Sequence, residues 1–229
     1  MKNKKINIPQ SHEEYMDKWT KIYQNTNYDS GLTGYFLKKS HEWSEKKFDK
    51  TMKFKKVLEV GVGSGIHIDY VQHQFDVYYM TDLQESFINQ AKIKANDKIV
   101  FQIEDATKLS FEDDTFDRVI ATHILEHVQN PHEVLMEWAR VLKPGGILTI
   151  VLPCDPGVAW RLGRYCCARK SFIEQGIDYD YWMAREHINP INNLVSFIRT
   201  YFNNIDESWK PFSVPSMDLN LFYIVHIRV

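Results

Sequence analysis

The residues best suited to chemistry lie in Val57-Leu58-Glu59-Val60-Gly61-Val62-Gly63-Ser64-Gly65, an apolar run that ends in three alternating glycines. Such a run reads as a buried strand leaving into a turn, where glycine lets the backbone bend sharply and a ligand approach closely. A nucleoside suits that place. A dinucleotide fingerprint would need G-x-G-x-x-G, but position 66 is Ile66 and the third glycine is Gly65, so the spacing argues against a nicotinamide cofactor. Asp82 closes the next apolar run. A carboxylate there accepts hydrogen bonds from both hydroxyls of a ribose and repels a phosphorylated one; the same acid also suits the first turn of a following helix. Asp105-Ala106 follows the third run and offers either an acceptor for an exocyclic amine beside room for a flat ring, or a solvated loop acid.

Three histidines qualify as general bases, because imidazole titrates close to neutral pH: His123, His127 and His187. His123 ends the fourth apolar run, and the carboxyl ends of parallel strands face a ligand crevice. His127 equally suits packing under the helix that follows. Between Trp160 and Lys170 stand Arg161, Arg164, Arg169 and Lys170 with no acid among them, and Arg185 follows. Guanidinium groups pair bidentately with phosphate or carboxylate, although a basic run also makes an ordinary solvated helix face. Tyr179, Tyr181 and Trp182 read either as the apolar wall of the same pocket or as core. The candidate substrate residues are therefore Arg161, Arg164, Tyr181, Arg185 and His187, for a small anionic or sugar-like molecule.

The elements that must position these groups follow an alternating pattern. Strands are predicted at 56–60, 77–81, 99–103, 118–122 and 147–152, with helices at 67–74, 86–94 and 132–141. The last helix is expected to stop at Lys143-Pro144-Gly145-Gly146. Strands without alternation, separated by helices, imply a parallel sheet covered on both faces. Residues 1–50 are aromatic and charged and read as a helical lid, with helices at 13–24 and 37–50. The 35 residues after Pro153 break the rhythm and read as a substrate-side insertion over 154–188. Asn189-Pro190 is expected to cap a helix reaching about 202, and 219–229 to form a last strand. The chain is thus expected to be one doubly wound α/β domain: lid 1–50, cofactor-binding core 51–153, insertion 154–188, and end of core 189–229.

Composition agrees with a globular chain: 229 residues, 44% hydrophobic and 25% charged. A net charge of −2 supplies no cationic field for nucleic acid, so no nucleic-acid partner is expected. The basic start MKNKK is followed by no apolar run of signal length, and no stretch is long enough to span a membrane. A cytoplasmic location is expected. Cys154, Cys166 and Cys167 form no Cys-x-x-Cys pair, and no metal site is expected.

Taken in order, six blocks resemble the class I S-adenosylmethionine-dependent methyltransferases, in the small-molecule branch similar to ubiquinone and menaquinone biosynthesis methyltransferases. They are Leu58-Glu59-Val60-Gly61-Val62-Gly63-Ser64-Gly65, Asp82, Asp105-Ala106, the turn from Leu109 to Asp117, Leu125-Glu126-His127-Val128, and Arg140-Val141-Leu142-Lys143-Pro144-Gly145-Gly146. The resemblance spans roughly 57–153 and implies a seven-stranded, mostly parallel Rossmann-like methyltransferase fold with S-adenosylmethionine as cofactor. It implies that Glu59 organises the loop and the cofactor's amino-acid end. Gly61, Val62, Gly63 and Gly65 would pass beneath the cofactor, Asp82 with Leu83 would hold ribose, Asp105 and Ala106 would flank adenine, and Thr122 and His123 would lie near the methyl group. The aspartates at 113, 114 and 117 read as turn residues.

The leading expectation is methyl transfer to an O or N atom of a small, polar or anionic metabolite. A non-catalytic S-adenosylmethionine-binding partner protein and an NAD-dependent oxidoreductase are the competing readings. A base-amino methyltransferase is disfavoured because the fourth strand ends in Ala121-Thr122-His123-Ile124 and lacks an Asp/Asn-Pro-Pro-aromatic cluster. The sequence leaves the acceptor molecule and the oligomeric state open.

Overall fold

A computed structural model describes residues 11–29 and 31–229. The first ten residues, which include the basic start and part of the expected lid, and Ser30 lie outside the described residues.

Seven strands form one sheet: β1 (Lys53–Val60), β2 (Gln74–Asp82), β3 (Ile99–Ile103), β4 (Phe116–Thr122), β5 (Leu142–Pro153), β6 (Ile205–Lys210) and β7 (Phe222–Arg228). Their order is β3-β2-β1-β4-β5-β7-β6, and every neighbouring pair is parallel except the two made by β7. The doubly wound, mostly parallel α/β sheet expected from the sequence is the one observed. The chain leaves β1 toward β2 on one side and returns to place β4 on the other. Val60 pairs with both Thr81 and Ala121, so the carboxyl ends of β1, β2 and β4 open side by side. Such a switch point leaves a crevice between diverging connections.

The helices are α1 (His12–Asn27), α2 (Gly31–Glu45), α3 (Glu85–Ala91), α4 (Pro131–Arg140), α5 (Val158–Gly163), α6 (Arg169–Glu174), α7 (Tyr179–Glu186) and α8 (Ile191–Tyr201). In α8 the buried residues Ile191, Leu194, Val195 and Ile198 repeat at helical spacing, and α4 buries Val134, Leu135 and Trp138 against the same core. Each such side chain taken fully from water contributes roughly 1.5–3 kcal/mol, which holds these helices on the sheet. A second, smaller core joins α1 to the segment after β5: Tyr15, Phe172, Ile177, Tyr179 and Trp182 are buried together, with Tyr15 and Trp182 stacked at 3.8 Å between ring centroids. No helix among the described residues is long and apolar enough to cross a membrane.

Several boundaries differ from the sequence expectation. The helix expected at 67–74 is a single 3-10 turn, His67–Tyr70, because Gln74 and Phe75 are drawn into β2 by pairing with Lys53 and Phe54. The second N-terminal helix runs Gly31–Glu45, earlier than the expected 37–50. The Lys143-Pro144-Gly145-Gly146 segment follows the helix, which stops at Arg140. It belongs to β5, where Gly145 takes a left-handed φ of 81° and the β4 register shifts. Pro190, at φ −68° and ψ 146°, holds the cap position of α8. Asn189 instead donates its side-chain amide to the carbonyls of Leu125, at 3.1 Å, and Val128, at 2.7 Å. The edge strand β6 was not foreseen.

Candidate functional site

The glycine loop follows β1. Gly61, Gly63 and Gly65 adopt φ of 67°, 53° and 76°, a conformation in which a side chain is strained. Space is short as well: a Cβ on Gly61 would stand 2.0 Å from Ile124 Cδ1, which would have to move, and one on Gly63 would meet the Tyr23 ring at 3.0 Å. The Val62 N–H donates to Thr81 O at 3.0 Å, tying the loop to the end of β2. Glu59 is buried beneath it, accepts from the Tyr78 hydroxyl at 2.7 Å, and is raised above the usual carboxylate range by burial.

Asp82 is only 9% exposed at the carboxyl end of β2. Its Oδ2 accepts from the Gly63 N–H at 3.0 Å and its Oδ1 from the Gln84 N–H at 2.9 Å. Burial pushes its pKa up, against those backbone donors. Each oxygen keeps a further lone pair, so the carboxylate is aimed and still able to accept two hydroxyls. Leu83 beside it is 61% exposed.

Asp105 is exposed, and its Oδ1 accepts from the Thr107 N–H at 2.8 Å and the Thr107 hydroxyl at 2.7 Å, closing a local turn. The Ala106 carbonyl accepts from Trp138 Nε1 at 2.8 Å, which fixes this turn on α4. The buried acid in this region is Glu104, which accepts from the Ser110 N–H at 2.9 Å.

Beyond the crevice, β4 ends in buried Thr122 and then His123, whose φ of 59° is strained for a residue with a side chain. Ser40 of α2 already donates its hydroxyl to Leu37 O at 2.7 Å, so the 3.0 Å contact between Ser40 Oγ and His123 Nε2 makes that ring nitrogen the donor. The His123 Nδ1 lone pair then faces Glu126, 3.9 Å from Oε1. Burial, aided by the charges of His187 and His67, lowers the His123 pKa to about 3. His127 lies 3.9 Å from the same Glu126 oxygen, and its ring is 4.8 Å from that of His187, edge to face. All three histidines named from sequence thus gather around one carboxyl group. Glu126 itself is 2% exposed and pushed up to about 8, chiefly by burial with the charge of Asp155 adding to it. It stood inside the Leu125-Glu126-His127-Val128 block without a role. An acid flanked by two histidines within three residues was the available signal.

His187 turns its Nδ1 to Asp155 Oδ2 at 2.9 Å, and Arg164 Nη1 reaches the same oxygen at 3.0 Å. Both line a cavity of about 280 Å³ with Pro156, Asp180, Met183, Ala184, Asn189 and Pro190. Arg161, Tyr181 and Arg185 are not in that lining. Arg161 lies exposed on α5, while Arg185 sits over the Trp182 ring at 5.1 Å and donates to the Tyr181 hydroxyl at 3.3 Å. Arg169 pairs with Asp180, so the basic run is largely matched by acids that the sequence places elsewhere.

The N-terminal helices cover this end of the sheet. Gln24 of α1 accepts from the Ser64 hydroxyl at 2.7 Å, and Gln90 of α3 donates to Thr20 O at 3.0 Å. From α2, His41 contacts Tyr28 and His67, each at 3.0 Å, and His67 contacts Glu45 at 3.1 Å. These long-range contacts had no signature in the sequence.

Residues 58–150 match the family described as "Methyltransferase domain". Phosphatidylethanolamine N-methyltransferase of Cereibacter sphaeroides is 34% identical over 101 residues, covering 42% of this chain and 49% of that protein. Ubiquinone biosynthesis O-methyltransferase of Coxiella burnetii is 33% identical over 101 residues, 43% of each chain. The highly reducing polyketide synthase verA of Penicillium polonicum is 31% identical over 107 residues, which is 4% of its length. The chain therefore spans less than half of these relatives. Among solved structures, an S-adenosylmethionine-dependent methyltransferase from Aquifex aeolicus aligns over 96% of this chain and 100% of that one, with a TM-score of 0.57 and 16% identity. The [4+2]-cyclase SpnF aligns over 97% of both chains, with a TM-score of 0.66 and 14% identity.

The fold is the Rossmann-like fold of the class I methyltransferases. Over residues 58–150 the chain is similar to the methyltransferase domain family, and the structure aligned from Aquifex aeolicus is that of an S-adenosylmethionine-dependent enzyme. The residues present suit that cofactor: a glycine loop in a left-handed conformation borders a buried carboxylate that can accept hydroxyls and would repel a phosphate.

Proposed function

We propose that this protein transfers a methyl group from S-adenosylmethionine to an oxygen or nitrogen atom of a small polar metabolite. The observation that carries the reading is Asp82, buried at the switch point and oriented by the Gly63 and Gln84 amides while keeping lone pairs for a ribose. The N- and O-methyltransferases among the relatives support transfer to those two elements. When bound, the cofactor supplies an electrophilic methyl group on a sulfonium.

This chain's part is to hold, aim and dry the site. Glu59 and Gly61 to Gly65 shape the floor, Asp82 fixes the ribose, and Ala106 and Asp105 border the adenine end. Thr122 and His123 stand at the mouth of β4, where in-line attack needs an acceptor held in register. Burial keeps His123 neutral at working pH, so its Nδ1 can accept a hydrogen bond from a hydroxyl acceptor and orient it. Helices α1 and α2 act as a lid that excludes water, and the segment after β5 forms the acceptor side. The cavity sets Asp155 and Asp180 against Arg164, which favours a neutral polar or zwitterionic acceptor over a strongly anionic one.

The test is calorimetry with S-adenosylmethionine and S-adenosylhomocysteine, followed by a screen of small alcohols, phenols and amines for release of S-adenosylhomocysteine. Binding and turnover are expected. Binding without turnover of any acceptor would favour a non-catalytic partner protein, and no heat with either compound would overturn the reading.

A further inference from the structure

We propose a divalent transition-metal site formed by Glu126, His127 and His187, beside the crevice and open to the cavity behind it. One ligand atom from each of these residues lies within 4.8 Å of the others. The tautomers follow from their neighbours. His127 Nδ1 is 3.0 Å from the Glu186 carbonyl, which only accepts, so that nitrogen carries the proton and Nε2 keeps its lone pair. His187 Nδ1 is 2.9 Å from Asp155 Oδ2, a carboxylate also held by Arg164, so there too Nε2 is the free lone pair.

Among the described residues Glu126 Oε2 is fully buried without a hydrogen-bond partner, and Oε1 is 3.9 Å from His127 Nε2. The site therefore brings two imidazole lone pairs and a buried carboxyl group within reach of one another.

The surroundings are those of a supported metal site. Ligating imidazoles characteristically donate their second N–H to a carboxylate or a backbone carbonyl, and one of each is present here, in Asp155 and Glu186. Asn189 fixes the turn carrying Glu126 through Leu125 O and Val128 O. Two nitrogens and one carboxylate favour zinc or a neighbouring first-row ion over magnesium, and three protein ligands leave a coordination position for water or substrate. His187 and Asp155 line the 280 Å³ cavity, which supplies that entry. In the setting of the proposed methyl transfer, and resting on that reading, the open position would take the acceptor's oxygen or nitrogen and ease loss of its proton. Ion binding itself does not depend on that reading.

The experiment uses the full chain stripped with a chelator and titrated with Zn2+ by calorimetry and with Co2+ by visible absorption. One equivalent is expected to bind, with a rise in melting temperature. His187→Ala and Glu126→Ala are expected to weaken binding at least about 100-fold, and Asp155→Asn about 10-fold, in the range found for outer-shell partners. His132→Ala, at a histidine outside the cluster, serves as control and leaves it unchanged. Heat of S-adenosylhomocysteine binding reports whether each variant folds and tests the methyltransferase reading separately. Should the variants not fold, X-ray absorption of the zinc-loaded wild-type protein decides: a shell of two imidazoles and oxygen supports the site. Absence of stoichiometric binding, binding that survives both alanine variants, or a shell containing thiolate overturns it.

Discussion

Glu45 of α2 clamps the guanidinium of Arg118 on β4, with Oε2 2.8 Å from Nη1 and Oε1 2.6 Å from Nη2, although 73 residues separate them. Both side chains are shut away from solvent, and Phe48 lies under the guanidinium at 3.7 Å. The N-terminal helices are thereby fastened into the sheet by a charge pair that water cannot screen. Removing one member strands the other, so Glu45→Ala should cost about 3–5 kcal/mol in chemical denaturation. The paired change Glu45→Leu with Arg118→Met should recover most of that loss; a double variant as unstable as Glu45→Ala would show that the pair is not what holds α2.

Asp82→Asn should fold normally and bind S-adenosylhomocysteine about 10- to 100-fold more weakly, the loss of roughly 1.5–3 kcal/mol expected for hydrogen bonds to a charged group. Calorimetry with a parallel melting curve separates affinity from stability. An unchanged dissociation constant would remove Asp82 from the ribose site.

Gly61→Ala meets two obstacles, a left-handed backbone and the Ile124 methyl group. Backbone strain alone is worth about 1–2 kcal/mol. The double variant Gly61→Ala with Ile124→Ala should recover the steric part of the destabilisation and leave the backbone part, a coupling readable from a double-mutant cycle. Strict additivity of the two changes would contradict the observed contact.

Acid should unfold the protein through its buried histidines. His73 and His226 are each lowered to about 4, first by burial and then by the positive charge of Arg118. The unfolded chain takes up those protons near pH 6.5, so it binds more protons than the folded one between about pH 6.5 and pH 4. Stability should fall through that window as pH drops, by up to about 1.4 kcal/mol per pH unit for each histidine. Glu45, held low by Arg118 and His67 against its burial, contributes in the same direction as pH falls through the carboxylate range. His226→Gln should flatten the slope between pH 6.5 and 4. A variant with the wild-type slope would acquit His226.

The strands of the central sheet were legible because residues such as Val57 to Val60 and Val119 to Ala121 are buried on both faces and read as unbroken apolar runs. Strand β6 was not, because Ile205-Asp206-Glu207-Ser208-Trp209-Lys210 is a half-buried edge whose polar residues resemble a loop. The turn at His67 was overread as a helix because the pairing of Gln74 and Phe75 with β1 overrides local propensity. At the site, the glycines and Asp82 declare themselves locally through backbone freedom and position at a strand end. The meeting of Ser40 with His123, and of Glu126 with His187, depends on topology that joins residues 83 and 61 positions apart. No local pattern encodes such distances.

The stack of Tyr15 on Trp182 ties α1 to α7. On the proposed reading, in which α1 roofs the nucleotide end and α7 borders the acceptor end, the two cannot part independently while they share that aromatic nucleus. Exchange of either small molecule then draws on a single opening event, and the kinetic order of binding and release becomes a property of the roof as much as of the chemistry beneath it.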